Sequence, residues 1–448
     1  MRREFLKLSG VLPVSIAGVI GSSESENAGV HGKRSVYYWN LQSPPEGLEE
    51  AVRILNDLGA DFIWYAHWVL GFPLPPDFEQ ALEIARNCGL GKRAKIFADW
   101  CRREFYSLEC IKKQVNAVRG KIYCPAILGY TNFRVDFNFD PVSFEPLERE
   151  EIESWLLDFG KWDIKNPETG KTFTVEETQE IFRKMGLPLG RGIPDFSNPD
   201  VVKYYVKKAI ALKKAGVNAV WYDTFFQLPL KIRNYLNLSF YSPVVKDLFR
   251  GCVKIVSGAK ALGLITGTWH ICFDFPYRVP ELDFVCASPT PEEVMKMKLD
   301  DGRWKDIERK IIEKSPETEL LIVFDFAGRD NTPLAIFSQN LTPEEEQKFL
   351  RLVHDLSLKL DIKSSVAYPV HGPGIGAHPE KLAWGKYRIY DARAPEFNTY
   401  RTIAELISEN SGHTANTHRI PVASILPPAS LLLACFLKSA LKQGKRKN

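Results

Sequence analysis

Short apolar runs alternate with amphipathic stretches along most of the chain, from about Ser35 to Asn410. Eight of these runs predict strands, at 36–40, 61–66, 94–99, 125–130, 218–223, 264–268, 283–287 and 319–325. Apolar residues at helical spacing predict helices at 47–59, 76–87, 107–118, 198–215, 243–261, 291–314 and 342–358. Regular alternation of the two element types is typical of parallel strands joined by crossover helices.

Eight strand–helix units predict a (β/α)₈ TIM barrel, with an open doubly wound sheet as the alternative. No G-x-G-x-x-G follows the first strand, which argues against a dinucleotide-binding fold. The alternation of strand and helix patterns is interrupted at 132–195, so we expect a long insertion with small helices after strand 4. A further apolar run at 365–370 is not among these eight strands. Either it is a ninth element, or one of the eight predicted strands is wrong.

The two ends of the chain have the composition of targeting segments. Met1-Arg-Arg-Glu-Phe-Leu-Lys7, followed by an apolar run from Leu8 to Ile20, resembles a twin-arginine (Tat) export signal. The alternative is a first amphipathic helix. Near the other end, 421–437 carries no charge and is followed by five basic residues, which indicates a membrane anchor or a sorting tail. A last amphipathic helix is the alternative there.

These patterns divide the chain into a signal at 1–30, a barrel domain at 31–410 and a linker, apolar tail and basic end at 411–448. We therefore expect the Tat machinery as a partner and an extracellular or cell-surface location, with a membrane anchor at the C-terminus as an option. Whether disulfide bonds form after export is left open by the sequence, because pairing among the eight cysteines cannot be inferred from their spacing.

Composition narrows the classes of function. Hydrophobic residues make up 45% and charged residues 25%, as in ordinary globular proteins. The formal net charge is only +4, and no basic stripe exists outside the ends, so no nucleic-acid partner is expected. Aromatic residues reach 12% and include 10 tryptophans, which favours a ligand with apolar faces.

In a barrel of this kind the reacting groups project from the C-terminal ends of the strands. Carboxylates close three of the predicted strands, and they give the candidate catalytic residues Asp223, Asp99 and Asp325. Aromatic and polar side chains at the same ends give the candidate substrate-binding residues Trp39, His67, Trp68, Trp100, Tyr130, Asn132, Arg134, Trp269 and His270. Each of the three aspartates has a purely structural alternative as a helix cap or an ion-pair partner.

This inventory of side chains suits carbohydrate. Tryptophan and tyrosine can stack on the C–H faces of a sugar, while Asp, Asn, His and Arg bind its hydroxyl edges. Glycoside cleavage requires two carboxyl groups flanking one bond, one as proton donor and the other as nucleophile or base. Asp223 is expected as nucleophile or base, with Asp99 or Asp325 as acid, and no cofactor is required.

Three segments carry a resemblance to glycoside hydrolases with barrel folds. The stretch from Asn198 to Asp223 resembles their helix followed by a G-x-D-x-x-x-x-D strand, in which the last aspartate is often the nucleophile or a substrate ligand; Asn218 stands where Asp is commoner. Residues 125–130 resemble their fourth strand, but 131–133 lack the Asn-Glu that follows it in several families. The segment 390–400 is similar to the tails of glycosidase-like barrel proteins.

The sequence thus predicts an exported glycoside hydrolase that cleaves a polysaccharide or glycan. One alternative is a non-catalytic carbohydrate-binding barrel. Another is a metal-dependent hydrolase or deacetylase, for which His67, Asp99, Asp223, His270 and Asp325 could supply ligands, although no H-x-H or H-x-x-x-H spacing occurs.

Overall fold

The structure is a computed structural model of the chain. It describes residues 30, 32–39, 41, 47–69, 108–130, 133, 140–142, 147–185, 192–325, 332–372, 390–394 and 397–413. Residues 1–29 of the signal predicted at 1–30, the predicted strand at 94–99 and the apolar tail predicted at 421–437 lie outside these residues.

One sheet organises the described part of the chain. Its parallel strands, in chain order, are β1 Ser35–Tyr38, β2 Phe62–Val69, β3 Ile122–Leu128, β4 Ala219–Asp223, β5 Ile265–Trp269, β6 Phe284–Ala287, β7 Glu319–Ile322, β8 Ser364–Val366 and β9 Tyr368–Gly372. Neighbours follow chain order from β1 to β8, and β9 lies on the other side of β1. A short strand β10, Tyr390–Asp391, pairs antiparallel with β9.

The sheet closes on itself, because β8 and β9 are two parts of one extended segment interrupted only by Ala367. β8 pairs with β7, while β9 pairs with β1. The Ala367 N–H donates to the Ile322 carbonyl at 2.9 Å, so the ladder continues across the interruption. The segment 364–372 therefore links the last strand to the first, and eight parallel strand positions form a curled barrel, as the alternation predicted.

The third predicted strand, at 94–99, lies outside the described residues. In the described sheet β2 pairs directly with β3, in a register that matches Phe62 with Ile122. The extra apolar run at 365–370 belongs to β8 and β9 and completes the barrel. The predicted insertion follows β3, the third strand of the described sheet, where the sequence predicted it after a fourth.

Helices cover the outside of the barrel. Those described are α1 Gly47–Asp57, α2 Leu108–Ala117, α3 Arg149–Glu153, α4 Val175–Lys184, α5 Pro199–Lys214, α6 Gln227–Tyr235, α7 Pro243–Ala261, α8 Pro291–Met295, α9 Asp301–Lys314, α10 Pro333–Asn340, α11 Pro343–Lys359 and α12 Tyr400–His413, with 3₁₀ helices η1 Phe159–Trp162 and η2 His270–Asp274. The long crossover helices α5, α7 and α11 match their predicted extents, since Pro at the first turn fixes the start of each.

The helix predicted at 291–314 is two helices. Thr290 begins α8 with a capping box that includes Glu293. Met297 then takes a positive φ of 52°, and Asp300 begins α9 by accepting from the backbone N–H groups of Gly302 and Arg303. Local capping by polar side chains thus interrupts a pattern that is helical on both sides.

Buried apolar residues fill the barrel and the layer between strands and helices. The described cysteines, at 110, 124, 252, 272 and 286, are all buried free thiols. Within the described ranges, no helix is both long and apolar enough to cross a bilayer.

Candidate active site

The C-terminal ends of five neighbouring strands bring together polar and aromatic side chains. Tyr130 follows β3, Asp223 ends β4, Trp269 ends β5, Ser288 follows β6 and Asp325 follows β7. Parallel strands place their carboxyl ends at one rim, so these residues share that rim. Tyr130, Asp223, Trp269 and Asp325 are predicted site residues, and Ser288 lies with them at this rim.

Asp223 is the centre of this rim. Its carboxylate Oδ1 accepts from the Trp269 indole Nε1–H at 2.7 Å. Burial raises the pKa of Asp223 to about 6, while the bonds from Trp269 and from the Thr224 backbone N–H oppose that rise. The carboxyl therefore exchanges a proton close to neutral pH, which is the property that general acid–base catalysis requires.

The chain turns sharply directly after Asp223. Thr224 takes a φ of 66°, which a β-branched residue rarely adopts. Gly129 lies against this turn: its N–H donates to the Asp223 carbonyl at 3.0 Å, and its own carbonyl accepts from the Tyr205 hydroxyl at 2.8 Å. A Cβ at Gly129 would lie 3.0 Å from Thr224 Oγ1 and 3.1 Å from the Asp223 carbonyl. The close approach of β3 thus holds the Asp223 turn in place.

Asp325 lies three strands from Asp223 on the same rim. Its backbone N–H donates to Ser288 Oγ at 3.0 Å, which links the ends of β6 and β7. The charge of Asp325 raises the pKa of the buried Tyr37 hydroxyl, after burial itself. The thiol of Cys286 has its pKa raised by burial, and the charges of both Asp223 and Asp325 add to that rise. Both carboxylates therefore lie within electrostatic reach of one sulfur atom.

An aromatic cluster that includes Trp269, the hydrogen-bond donor to Asp223, lies inside the barrel. Trp221 is the hub: its ring centroid lies 4.8 Å from that of Trp64 and 5.3 Å from that of Trp269. Tyr65 packs on both Trp64 and Trp221 and has a φ of 60°, at a register shift in β2. The Tyr37 ring meets Trp64 edge-on at 5.1 Å. This apolar floor excludes water from one side of Asp223, and it explains why burial is the largest influence on the pKa of that carboxyl.

Two predicted site residues, Tyr130 and His270, follow strands of this rim. Tyr130 is buried, and burial together with the charge of Asp223 raises the pKa of its hydroxyl, so the two residues are neighbours. His270 begins η2, and burial lowers its pKa to about 4, so its imidazole is neutral. The charged groups that influence the pKa of His270 are Asp274 and residues of α9. His270 therefore has the helix layer on one side.

His67 and Trp39 are both buried in the wall of the barrel. Gln114 of α2 forms a hydrogen bond with His67, and its carboxamide also accepts from the Tyr123 hydroxyl. Burial lowers the pKa of His67 to about 4. Trp39 is 2% exposed, and its backbone N–H donates to the His371 carbonyl at 2.9 Å. His67 thus packs against the helix layer, and Trp39 packs at the junction of β1 and β9.

For the other predicted site residues, the structure describes no side-chain surroundings. Asp99, Trp100, Asn132 and Arg134 lie outside the described residues. Trp68 belongs to β2, where its backbone pairs with Ala126 of β3. Among the described residues, no group of three or more His, Cys, Asp and Glu side chains converges in a way that could hold a metal ion.

Sequence reasoning missed Tyr37 and Cys286, which lie beside the carboxylates. Both occupy the middle of strands that are buried on both faces, where apolar residues do not alternate with polar ones. The only available signal was their separation by two residues from Trp39 and Ser288, which end the same strands and share their side of the sheet by the period of two.

Comparison with known proteins gave likenesses of structure only. No protein-family model and no curated protein sequence matches the chain. A single-site mutant of trehalulose synthase MutB is 12% identical, with a TM-score of 0.45 over 86% of this chain and 84% of that one. The debranching enzyme from Nostoc punctiforme is 12% identical, with a TM-score of 0.41 over 82% of this chain and 71% of that one. Isomaltulose synthase SmuA from Protaminobacter rubrum is 12% identical, with a TM-score of 0.40 over 85% of this chain and 76% of that one. The assignment of the fold to a barrel rests on the strand pairing itself.

Proposed function

We propose that the protein is a glycoside hydrolase in which Asp223 and Asp325 are the two carboxyl groups. The observation that carries this proposal is the Asp223 carboxyl, bonded to Trp269 and held over an aromatic floor with a pKa of about 6. Asp325 supplies a second carboxylate on the same rim, within electrostatic reach of the same thiol. Two carboxyl groups above an aromatic surface suit a sugar ring and the bond that leaves it.

The raised pKa favours Asp223 as the general acid. A carboxyl with a pKa of about 6 is still protonated in part of the molecules at neutral pH, so it can donate a proton to the leaving oxygen. Asp325 would then be the nucleophile or base. This assignment reverses the roles expected from the sequence, because burial of the carboxyl raises the pKa of Asp223 and the sequence pattern does not reveal that burial.

The test compares leaving groups on a panel of α- and β-glycosides. Asp223→Asn is expected to slow hydrolysis of an unactivated oligosaccharide by about 10²–10⁴-fold, the usual contribution of a general acid. It should slow a 2,4-dinitrophenyl glycoside far less, because that leaving group departs without a proton. Asp325→Asn should slow both substrates.

Asp300→Asn is the matched control, since asparagine preserves the cap of α9 and the residue is not on the rim. If Asp223→Asn reduced hydrolysis of both substrates equally, its role as the acid would be wrong. If neither rim variant changed turnover while sugar binding persisted, a non-catalytic carbohydrate-binding protein would replace the hydrolase.

We also propose that the protein is exported and held at the cell surface. The support is the sequence of the ends, with Arg2-Arg3 before a short apolar run and an uncharged segment at 421–437 before a basic end. In fractionated cells that express the chain, Arg2→Lys combined with Arg3→Lys should move the protein from the exported to the internal fraction.

The matched control for export exchanges two exposed arginines of the body, Arg183→Lys combined with Arg401→Lys. This variant keeps the same number of substitutions and the same charge, so it should fractionate as the parent chain does. An unchanged exported fraction in the Arg2 and Arg3 variant would show that the pair does not direct export.

A further inference from the structure

Strand β2 contains a bulge in the wall of the barrel. Trp64 pairs with Cys124 of β3, and Trp68 pairs with Ala126, so β2 advances by four residues where β3 advances by two. The extra residues of β2 therefore lie between Trp64 and Trp68. Bulges re-aim side chains, and they are common next to active sites.

The bulge turns Tyr65 toward the barrel interior. Trp64 belongs to the aromatic cluster inside the barrel, and successive residues of a regular strand point to opposite faces, so a regular β2 would direct Tyr65 toward the helices. Instead the rings of Trp64 and Tyr65 stack, with centroids 5.3 Å apart and planes 28° from parallel. Tyr65 reaches this position with a φ of 60°.

This backbone conformation is unusual for a tyrosine. In the described ranges, Tyr65 is the only residue other than glycine that has a positive φ inside a strand. Thr224, which also has a positive φ, directly follows Asp223. The others lie outside the strands, and they are Asp163, Asn237, Met297 and Asn398. Strained residues persist only where the surrounding packing fixes them, and they are concentrated at functional sites.

A line of ring contacts connects Tyr65 to the hydrogen-bond donor of Asp223. The Tyr65 centroid lies 5.5 Å from that of Trp221, at an angle of 70°. Trp221 meets Trp269 in the same edge-to-face manner, at 5.3 Å and 73°. Trp269 Nε1–H then donates to the Asp223 carboxylate at 2.7 Å. Trp221 also lies two residues before Asp223 on β4, so both side chains share one face of that strand.

Tyr65 is held against Trp221 from its other sides. Trp64 stacks on it, and the Tyr37 ring meets it at 5.5 Å and 72°. Because protein interiors are close-packed, a change in the volume of one buried ring displaces its neighbours. The loss of the Tyr65 ring would therefore allow Trp221 to move, and with it the indole of Trp269.

We infer that Tyr65 is a positioning residue of the site: its ring, turned inward by the bulge, packs against Trp221 and keeps the Trp269 indole N–H directed at the Asp223 carboxylate. The catalytic consequence of this arrangement rests on the proposed role of Asp223, whereas the orientation of the indole does not. A small displacement of a reacting group is expensive in rate, which gives the strained backbone of Tyr65 a function.

The indole N–H resonance of Trp269 reports this orientation in the full chain labelled with ¹⁵N-tryptophan. The resonance is assigned by its loss in Trp269→Phe. A hydrogen bond to a carboxylate moves an N–H proton downfield, so the resonance should move upfield in Tyr65→Leu, which keeps an apolar side chain but removes the ring. Tyr65→Phe keeps the ring contacts and should leave the resonance in place.

Kinetics on the glycoside panel give a second measurement. Tyr65→Leu should lower kcat at least about tenfold while KM changes little, because the residue acts through the donor of Asp223. Tyr65→Phe should retain the kcat of the parent chain. Tyr65→Leu combined with Trp269→Phe should lose little more than Trp269→Phe alone, because the bond that Tyr65 positions is already absent.

Phe159→Leu is the matched control, because it removes a buried ring that packs on Phe173 and Phe182 in the insertion, outside the barrel strands. It should leave the Trp269 resonance in place. An unmoved resonance in Tyr65→Leu would overturn the inference, and so would an equal displacement in Phe159→Leu. A resonance displaced only in Tyr65→Leu, in a chain that hydrolyses none of the glycosides, would support the positioning role and contradict the proposed hydrolase.

Discussion

The indole of Trp269, at the end of β5, donates a 2.7 Å hydrogen bond to the carboxylate of Asp223, at the end of the adjacent β4. Neighbouring parallel strands place the two residues side by side at one rim, so the bond follows directly from the pairing of β4 with β5. It stabilises the ionised form of a carboxyl that burial would otherwise keep protonated. The two influences together set the pKa near 6.

Removing that donor should shift the pH dependence of activity. Trp269→Phe keeps an aromatic ring on Trp221 but removes the N–H, so the pKa of Asp223 should rise further above its ordinary value. A hydrogen bond to a charged group is worth about 1.5–3 kcal/mol, which corresponds to a rise on the order of one pH unit or more. If Asp223 is the acid, the alkaline limb of the kcat/KM profile should move to higher pH by that amount.

Trp162→Phe is the control for this shift, because it also removes an indole N–H bonded to an aspartate, Asp247, away from the rim. Its profile on a neutral substrate should match that of the parent chain. An alkaline limb that stays fixed in Trp269→Phe would show that the Asp223 carboxyl does not control it.

Gly129→Ala should disturb the site more than the fold. The new Cβ would lie 3.0 Å from Thr224 Oγ1, 3.1 Å from the Asp223 carbonyl and 3.1 Å from Phe225 Cδ2. Contacts of this length force the turn after Asp223 to shift by a few tenths of an ångström, at a cost of about 1–3 kcal/mol. We expect kcat/KM to fall at least about tenfold, because misplacement of a reacting group is expensive.

The comparison variant for this substitution is Gly302→Ala, where the nearest atom is the Asp300 carboxylate at 3.3 Å, the end of a movable side chain. It should leave activity unchanged. Equal kinetics of Gly129→Ala and the parent chain would mean that the approach of β3 does not position Asp223.

The alternation of strands and helices predicted most of the barrel, and it placed Asp223 and Trp269 at adjacent strand ends. It did not decide whether the run at 365–370 is a strand of the barrel, because a short apolar run gives the same signal wherever it lies in a sheet. Only pairing resolves this: β8 pairs with β7 and β9 pairs with β1, so the segment 364–372 closes the barrel.

The chemistry of the site was harder to predict than its residues. The pKa of Asp223 depends on the burial of its carboxyl and on the hydrogen bond from Trp269, and both arise only when β4 and β5 come together. The unusual backbone at Tyr65 and Thr224 is a product of tertiary packing, since neither residue favours a positive φ by itself. Sequence spacing contains no information on either property.

Gly267 is required by the ring of Phe284 inside the barrel. A Cβ at position 267 would lie 2.1 Å from Cε2 and Cζ of Phe284, far inside van der Waals contact. Gly267→Ala should lower the free energy of unfolding by about 1–3 kcal/mol or more. Chemical denaturation of Gly267→Ala, Phe284→Leu and the double variant measures their coupling, and the double variant should lose less stability than the sum of the single losses. Additive losses would contradict the direct clash.

Glu319 should make the stability of the barrel depend on pH. The residue is 2% exposed, and burial raises its pKa from 4.5 to about 7, although Ser365 Oγ donates to it at 2.5 Å. The folded protein therefore holds a proton that the unfolded chain releases above pH 4.5, so the stability contributed by the protonated group is complete below that pH and is lost as the pH rises through 7. The loss between about pH 4 and about pH 8 is on the order of 3 kcal/mol.

Glu319→Gln removes this titration, so its free energy of unfolding, measured by urea denaturation, should fall less than that of the parent chain between about pH 4 and about pH 8. Glu317→Gln is the neighbouring control: that carboxylate is exposed and pairs with Lys363, which lowers its pKa, so the variant should keep the parent's decline. Parallel curves for Glu319→Gln and the parent chain would mean that the buried carboxyl titrates alike in the folded and unfolded states. A difference confined to the interval between pH 4.5 and 7 would assign the decline to this one group at the start of β7.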